Sequence, residues 1–287
     1  MSSSLPPPPP LSSLRGTVQQ HNAYILLHTP PNKPPPTFPP RGPESKVHKR
    51  LQVAALKWGG VVNWVWHPPA TSPFEPPDED GENYSATVFS KNGRLEIPQV
   101  TLSNMEQVEE RIRQFAIEDS SSSESVANSG IGHEPDEVHI LICTHMARDC
   151  RCGVRGGAFA RTVHEQIVQR GLFLGDGEKK VRLKLGEVGH VGGHQYAPNV
   201  LIYPFGDWYG VLAPEQVSTI LDELSVAVES CGVRPLGKTE KPLLTSVKDH
   251  WRGRMGMSKE EQASLAQSLG LGQKQQRRED VDVEAKD

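Results

Sequence analysis

The chain has 287 residues, 36% of them hydrophobic and 23% charged, with a formal net charge of -4. This is the composition of a globular protein with polar tails, long enough for one large or two ordinary domains, and its charge provides no global field to hold nucleic acid or an anionic membrane. No apolar run approaches the roughly 18 residues needed to cross a bilayer, so neither membrane insertion nor nucleic-acid binding is expected.

Residues 1–21 read as a disordered Pro/Ser-rich leader, because Pro6 to Pro10 cannot enter regular structure. The apolar stretch Tyr24 to His28 reads as a buried strand, so the folded region is expected to start near Asn22. Val47, Leu51, Ala54, Ala55 and Trp58 recur at helical spacing and Gly59-Gly60 ends the run. Val61 to Trp66 then reads as a strand. Tyr84 to Phe89 and Arg94 to Ile97 read as a hairpin about Lys91-Asn92-Gly93, where Asn-Gly supplies the positive φ angles of a tight turn. Ser103 and Glu106 predict a capping box opening a helix with Met105, Val108, Ile112 and Phe115 on one face.

A polar linker, residues 118–137, separates this first half, 22–117, from a second half, 138–260, that repeats the order. Val138 to Ile142 reads as a strand, Ala158 to Gln169 as a helix, Val181 to Leu185 as a strand, and Asn199 to Tyr203 with Trp208 to Leu212 as a hairpin. Pro214 opens the first turn of a helix bearing Val217, Leu221, Leu224 and Val228. The expected fold class is therefore α/β: two thioredoxin-like halves in tandem, mixed sheets flanked by helices, with disordered tails including a polar tail over 261–287. The first half contains no cysteine.

Cys143, Cys150 and Cys152 crowd into ten residues with Cys231 far away, the opposite of a secreted disulfide framework, which points to a reducing compartment. Cys143 ends a strand, where ligand sites gather in open α/β sheets, and Cys143-x8-Cys152 is followed by His190-Val-Gly-Gly-His194. Gly192-Gly193 lets the backbone curl so that both imidazoles converge. Two sulfurs and two nitrogens suit one metal centre, and the spacing admits either Zn2+ or a [2Fe–2S] cluster with one iron on sulfur and the other on histidine. A third reading makes Cys150-Arg-Cys152 a redox dithiol, but it leaves both histidines unexplained. Cys143 to Arg148 and Cys150 to Arg155 are each one residue too short for a phosphatase loop. No nucleophile–base pair is evident, so classical enzymatic turnover is not expected.

Four strings sharpen this: Cys143-Thr-His-Met-Ala-Arg-Asp-Cys-Arg-Cys-Gly153, Gly189-His-Val-Gly-Gly-His-Gln-Tyr-Ala-Pro-Asn199, Tyr203-Pro-Phe-Gly-Asp-Trp-Tyr-Gly210 and Trp251-Arg-Gly-Arg-Met-Gly256. Together they resemble the sucrase/ferredoxin-like family over about residues 20–260. The resemblance implies a thioredoxin-like ferredoxin whose [2Fe–2S] cluster is held by Cys143 and Cys152 on one iron and His190 and His194 on the other, with Trp251 in a C-terminal tryptophan motif. Cys150 departs from the family pattern, as an accessory sulfur or an oxidisable thiol. Replacing two thiolates by neutral imidazoles removes two negative charges, which is why such centres lie at roughly -150 to +300 mV instead of about -400 mV. An imidazole on iron also keeps a proton on its far nitrogen, so electron and proton uptake should be linked.

Electron transfer or redox sensing with a redox partner protein is the expected function. Arg148, Arg151 and Arg155 offer positive charge to dock such a partner. The alternative is a zinc-stabilised binding protein or a C-x-C dithiol oxidoreductase. Arg15, Arg41 and several serines with no acid before Glu44 resemble a mitochondrial transit peptide, so the expected location is the mitochondrial matrix or the cytoplasm, leaning to the former.

Overall fold

The computed structural model describes residues 5–29, 43–68, 83–118, 136–146, 149–171, 173–174 and 181–271. Its first half consists of β1 (Ala23–His28), α1 (Pro43–Leu56), β2 (Gly60–Trp66), β3 (Tyr84–Ser90), β4 (Gly93–Val100) and α2 (Met105–Ile117). Strand β1 runs parallel to β2 and antiparallel to β3, and β4 closes the hairpin on β3. The hairpin forms where Asn-Gly demanded it, with Gly93 at a φ of 101°. The Ser103–Glu106 capping box does not form. Asn104 is the cap residue, its Oδ1 accepts from the Thr101 N–H at 2.8 Å, and Ser103 is engaged by the Thr101 hydroxyl at 2.9 Å.

The second half repeats that order with β5 (Glu137–Cys143), α3 (Gly157–Gln169), a short β6 (Phe173–Leu174), β7 (Val181–Val188), β8 (Asn199–Tyr203), β9 (Asp207–Gly210) and α4 (Val217–Cys231). Here β5 is parallel to β7 and antiparallel to β8, which pairs with β9. Strand for strand this is the pairing of β1 with β2, β3 and β4. Two further elements follow: β10 (Trp251–Arg254), which pairs with β9 inside the second half, and α5 (Lys259–Ser268), which runs into the residues that read as a polar tail. Their sequences are too polar and short to announce themselves, and Ser258 with Glu261 supplies the capping box that starts α5.

The halves do not carry separate sheets. Val65 and Trp66 of β2 pair antiparallel with Val188 and Glu187 of β7, giving one ten-stranded sheet in the order β10-β9-β8-β5-β7-β2-β1-β3-β4, with β6 beside β7. Alternation along each strand sorts the side chains into three buried clusters. Ile25, Leu27, Val62 and Trp64 face α1 and α2; Val138, Ile140, Ile142, Val200 and Ile202 face α3 and α4. The faces turned away from the helices pack against one another, with Tyr24 stacked on Tyr203 at 5.6 Å and Phe89 on Tyr203 at 4.6 Å between ring centroids. Each such large side chain taken from water contributes about 1.5–3 kcal/mol, so the helices lie outside and the two bare sheet faces form a shared interior.

That interior also holds charge. Glu137 at the start of β5 accepts from Lys184 of β7 at 2.6 Å and pairs with Arg94 of β4, joining the halves through buried ions. Residues 5–21, expected as a disordered leader, pack on the second half. Leu14 and Val18 are fully buried, and the Tyr196 hydroxyl donates to the Ser13 carbonyl at 3.1 Å. Most of the predicted linker and of the C-terminal tail lies outside the described residues. Among the described residues no helix is long and apolar enough to cross a membrane.

Candidate metal centre

Strand β5 delivers Cys143 to its carboxyl end, level with Val188 of the parallel neighbour β7, in the interior cluster between the halves. After the loop, the Asp149 carboxylate accepts from the Arg151 backbone N–H at 2.9 Å and from its guanidinium at 2.9 and 2.8 Å. This fixes the start of the helix that carries Cys152. Residues Cys152–Gly156 form a π-helical turn running into α3, a local widening that often marks functional positions. It brings Gly156 so close to the strand end that a Cβ there would sit 2.2 Å from the Cys143 carbonyl oxygen. Only glycine permits that approach, and through it Cys152 reaches Cys143.

The histidines arrive from the other side. Beyond β7, Gly192 and Gly193 take φ angles of 80° and 65°, left-handed values natural to glycine. A Cβ on Gly193 would also meet Arg252 at 2.6 Å and Tyr196 at 2.8 Å. The result brings one ligand atom each from Cys143, His145, Cys152 and His190 within 4.8 Å of one another. Both thiols and His145 are buried, and His190 is half-buried. His145 Nδ1 lies 3.6 Å from Cys143 Sγ, and its ring centroid is 5.0 Å from that of His190. His145 Nε2 and His190 Nδ1 are buried without a hydrogen-bond partner.

His194 stands just outside this group. Its ring is near-parallel to that of His190 at 6.0 Å, its Nε2 is 3.8 Å from the Asp149 carboxylate, and its side chain is 42% exposed. Cys150 is exposed while Cys152 is buried, and Cys152 is hydrogen-bonded to Cys143, His145 and His190, so Cys150 and Cys152 do not form a dithiol pair here. Trp251 is fully buried on the α3 and α4 side and donates from Nε1 to Asp207 at 2.9 Å. Arg254 donates to the same carboxylate at 2.7 Å, so this part of the tryptophan motif ties β10 to β9. Arg151 is paired with Asp149, Arg155 donates to the Pro6 carbonyl, and Arg148 lies outside the described residues.

The electrostatics favour thiolate on one sulfur. The hydrogen bond from Cys152 lowers the Cys143 pKa against the cost of burial, helped by backbone N–H groups of Val191 and His145. The same shared proton pushes Cys152 up to about 12, with burial adding to it. The pair therefore eases its first ionisation and resists its second. Arg252, next to Trp251 but on the opposite face of β10, is buried behind them. It donates from Nε to Thr17 Oγ1 at 3.0 Å and from Nη1 to Asn199 Oδ1 at 2.5 Å, with its guanidinium 4.8 Å over the Tyr196 ring. Burial lowers its pKa to about 10, opposed by Tyr196, Cys143 and Cys152, so it stays cationic at neutral pH. Sequence reasoning missed His145 and Arg252. Cys143-x-His145 was the available signal, since alternate residues of an extended segment share a face.

The sucrase/ferredoxin-like family matches residues 14–253. The chain belongs to the sucrase/ferredoxin-like family. Within it, the chain is 35% identical over 106 residues to altered inheritance of mitochondria protein 32 of Meyerozyma guilliermondii, covering 35% of each chain. It is 30% identical over 99 residues to actin patches distal protein 1 of Saccharomyces cerevisiae, covering 33% of this chain and 31% of that one. The match thus spans about a third of the length of these relatives. A thioredoxin-like [2Fe–2S] ferredoxin from Aquifex aeolicus aligns at 20% identity over 35% of this chain and 92% of its own, with a TM-score of 0.25.

Proposed function

We propose that this sucrase/ferredoxin-like protein is an electron-transfer or redox-sensing protein carrying a [2Fe–2S] cluster on Cys143, Cys152, His190 and His194. The observation that carries the reading is the pair of buried, hydrogen-bonded thiols at the end of β5 with His190 among their neighbouring donors and His194 at the exposed edge, 6.0 Å from His190 between ring centroids. The donor set fits: two sulfurs and two nitrogens are the Rieske-type ligands, and His190 Nδ1 is buried with no protein partner. Bound there, the cluster supplies one-electron transfer at moderate potential.

The chain's own residues do the rest. Cys143 and Cys152 hold one side through sulfur, in a core that excludes water from both thiols. His190 and His194 hold the other side, and His194, half in solvent, leaves an open edge for exchange with a redox partner protein. Arg252 holds a fixed positive charge behind the thiols, which favours the reduced state. The mitochondrial name of relatives such as the one from Meyerozyma guilliermondii supports placement in the mitochondrion, testable by fractionating cells that express the tagged chain.

Redox titration of the anaerobically purified protein tests the function. A one-electron midpoint within the roughly -150 to +300 mV range of bis-histidine centres, lost together with bound iron in Cys152→Ser, is expected. A midpoint near about -400 mV would instead indicate all-thiolate ligation and overturn the ligand set.

A further inference from the structure

Five donors, not four, converge on the end of β5, and the most compact four are not the ones of the cluster reading. We infer that Cys143, His145, Cys152 and His190 form a site for a single tetrahedral zinc-class divalent cation. The site overlaps the cluster site and excludes it when filled. The competition between the two states rests on the proposed function, whereas the cation site itself does not.

Geometry separates the two sets. A zinc ion with Zn–S near 2.3 Å and Zn–N near 2.0–2.1 Å needs neighbouring donors roughly 3.3–3.8 Å apart. Cys143 Sγ and His145 Nδ1 are 3.6 Å apart, and no pair among the four exceeds 4.8 Å. A dinuclear cluster puts the thiolates on one iron and the imidazoles on another, so its sulfur and nitrogen ligands must stand farther apart than donors around one ion. His194, turned to Asp149 at 3.8 Å, suits that wider set and has no place in the compact one.

The chemistry of His145 agrees. Its side chain is 2% exposed, and its polar contacts run to the thiols of Cys143 and Cys152. Its remaining nitrogen is buried and unpartnered, an uncompensated desolvation at a place that packing alone would fill with an apolar residue. Two thiols and two imidazoles in a closed set match structural zinc. Binding converts the two thiols to thiolates, and their protons leave to solvent.

The test uses the full-length chain stripped of metal, with Zn2+ alone as the probe, titrated against a chromogenic chelator, and Co2+ as a spectroscopic stand-in. One zinc per chain is expected, and cobalt should show the visible bands of a tetrahedral sulfur and nitrogen site. His145→Gln should weaken zinc by at least about tenfold while reconstituted iron and sulfide contents stay as in the parent. His194→Gln should do the reverse, losing the cluster and keeping zinc. His145→Cys, which restores a donor, should recover zinc affinity and so separates a lost ligand from a lost fold. Unchanged zinc affinity in His145→Gln, or equal weakening in His194→Gln, overturns the inference. A chain that binds zinc through His145 but never takes up iron and sulfide refutes the cluster reading instead.

Discussion

Arg252 shows how one residue tunes a site it does not ligate. Its guanidinium is held by Thr17 and Asn199 and remains charged beside the thiols despite burial, so it stabilises any state that carries extra negative charge there. Arg252→Met should therefore lower the midpoint potential by on the order of tens of millivolts, equivalent to about 1 kcal/mol, with iron content retained. Spectroelectrochemistry on parent and variant would check it, and an unchanged potential would place the charge outside the site's field. The sequence made the thiols and the H-x3-H pair legible because few structural roles demand them at that spacing. Arg252 was illegible because it lies about a hundred residues away and reaches the site only through the pairing of β10 with β9.

At the scale of elements, the site depends on how closely the helical turn at Cys152 seats against the end of β5. Gly156→Ala would drive a methyl group into the Cys143 carbonyl and push the turn away. Overpacking of this kind costs about 1–3 kcal/mol. Denaturant titration should show that loss, and the variant should retain less iron than the parent under the same purification. Full stability and iron content would mean the contact is dispensable. Helices and strands with strong periodicity, such as α4 and β8, are plain in the sequence. The π-helical turn was not, since nothing in Gly153-Val-Arg-Gly-Gly157 distinguishes a wide turn from an ordinary first helical turn. β10 was hidden in Trp251-Arg-Gly-Arg254, whose buried arginines look exposed until Asp207 and Asn199 are placed beside them.

For the whole molecule, the first half covers the inner face of the second, and His21, His28, His67 and His139 are buried in the shared interior. Burial pushes His21 and His67 down to about 4 and His28 and His139 well below their ordinary value. In the unfolded chain these groups protonate near pH 6.5. Below that the unfolded state binds protons the folded state cannot, so stability is present above about pH 6.5 and is lost as pH falls toward 4. His21 and His67, held down at about 4, act across that window, and His28 and His139 act in the same direction. Denaturation midpoints at pH 7 and pH 5 should differ accordingly, and His67→Gln should flatten the slope. A flat profile would mean that the interior opens to water. The repeat of strand order was readable from the hairpin-then-helix pattern of each half. The union into one sheet was not, because it rests on only two residue pairs between β2 and β7.

A cluster on two cysteines and two histidines is tested by assaying iron, acid-labile sulfide and reduced-state EPR on one anaerobically purified sample. About two irons and two sulfides per chain with the low average g value of a Rieske-type centre is the predicted result. A chain that holds neither iron nor sulfide, even after anaerobic reconstitution of metal-free protein, would contradict it.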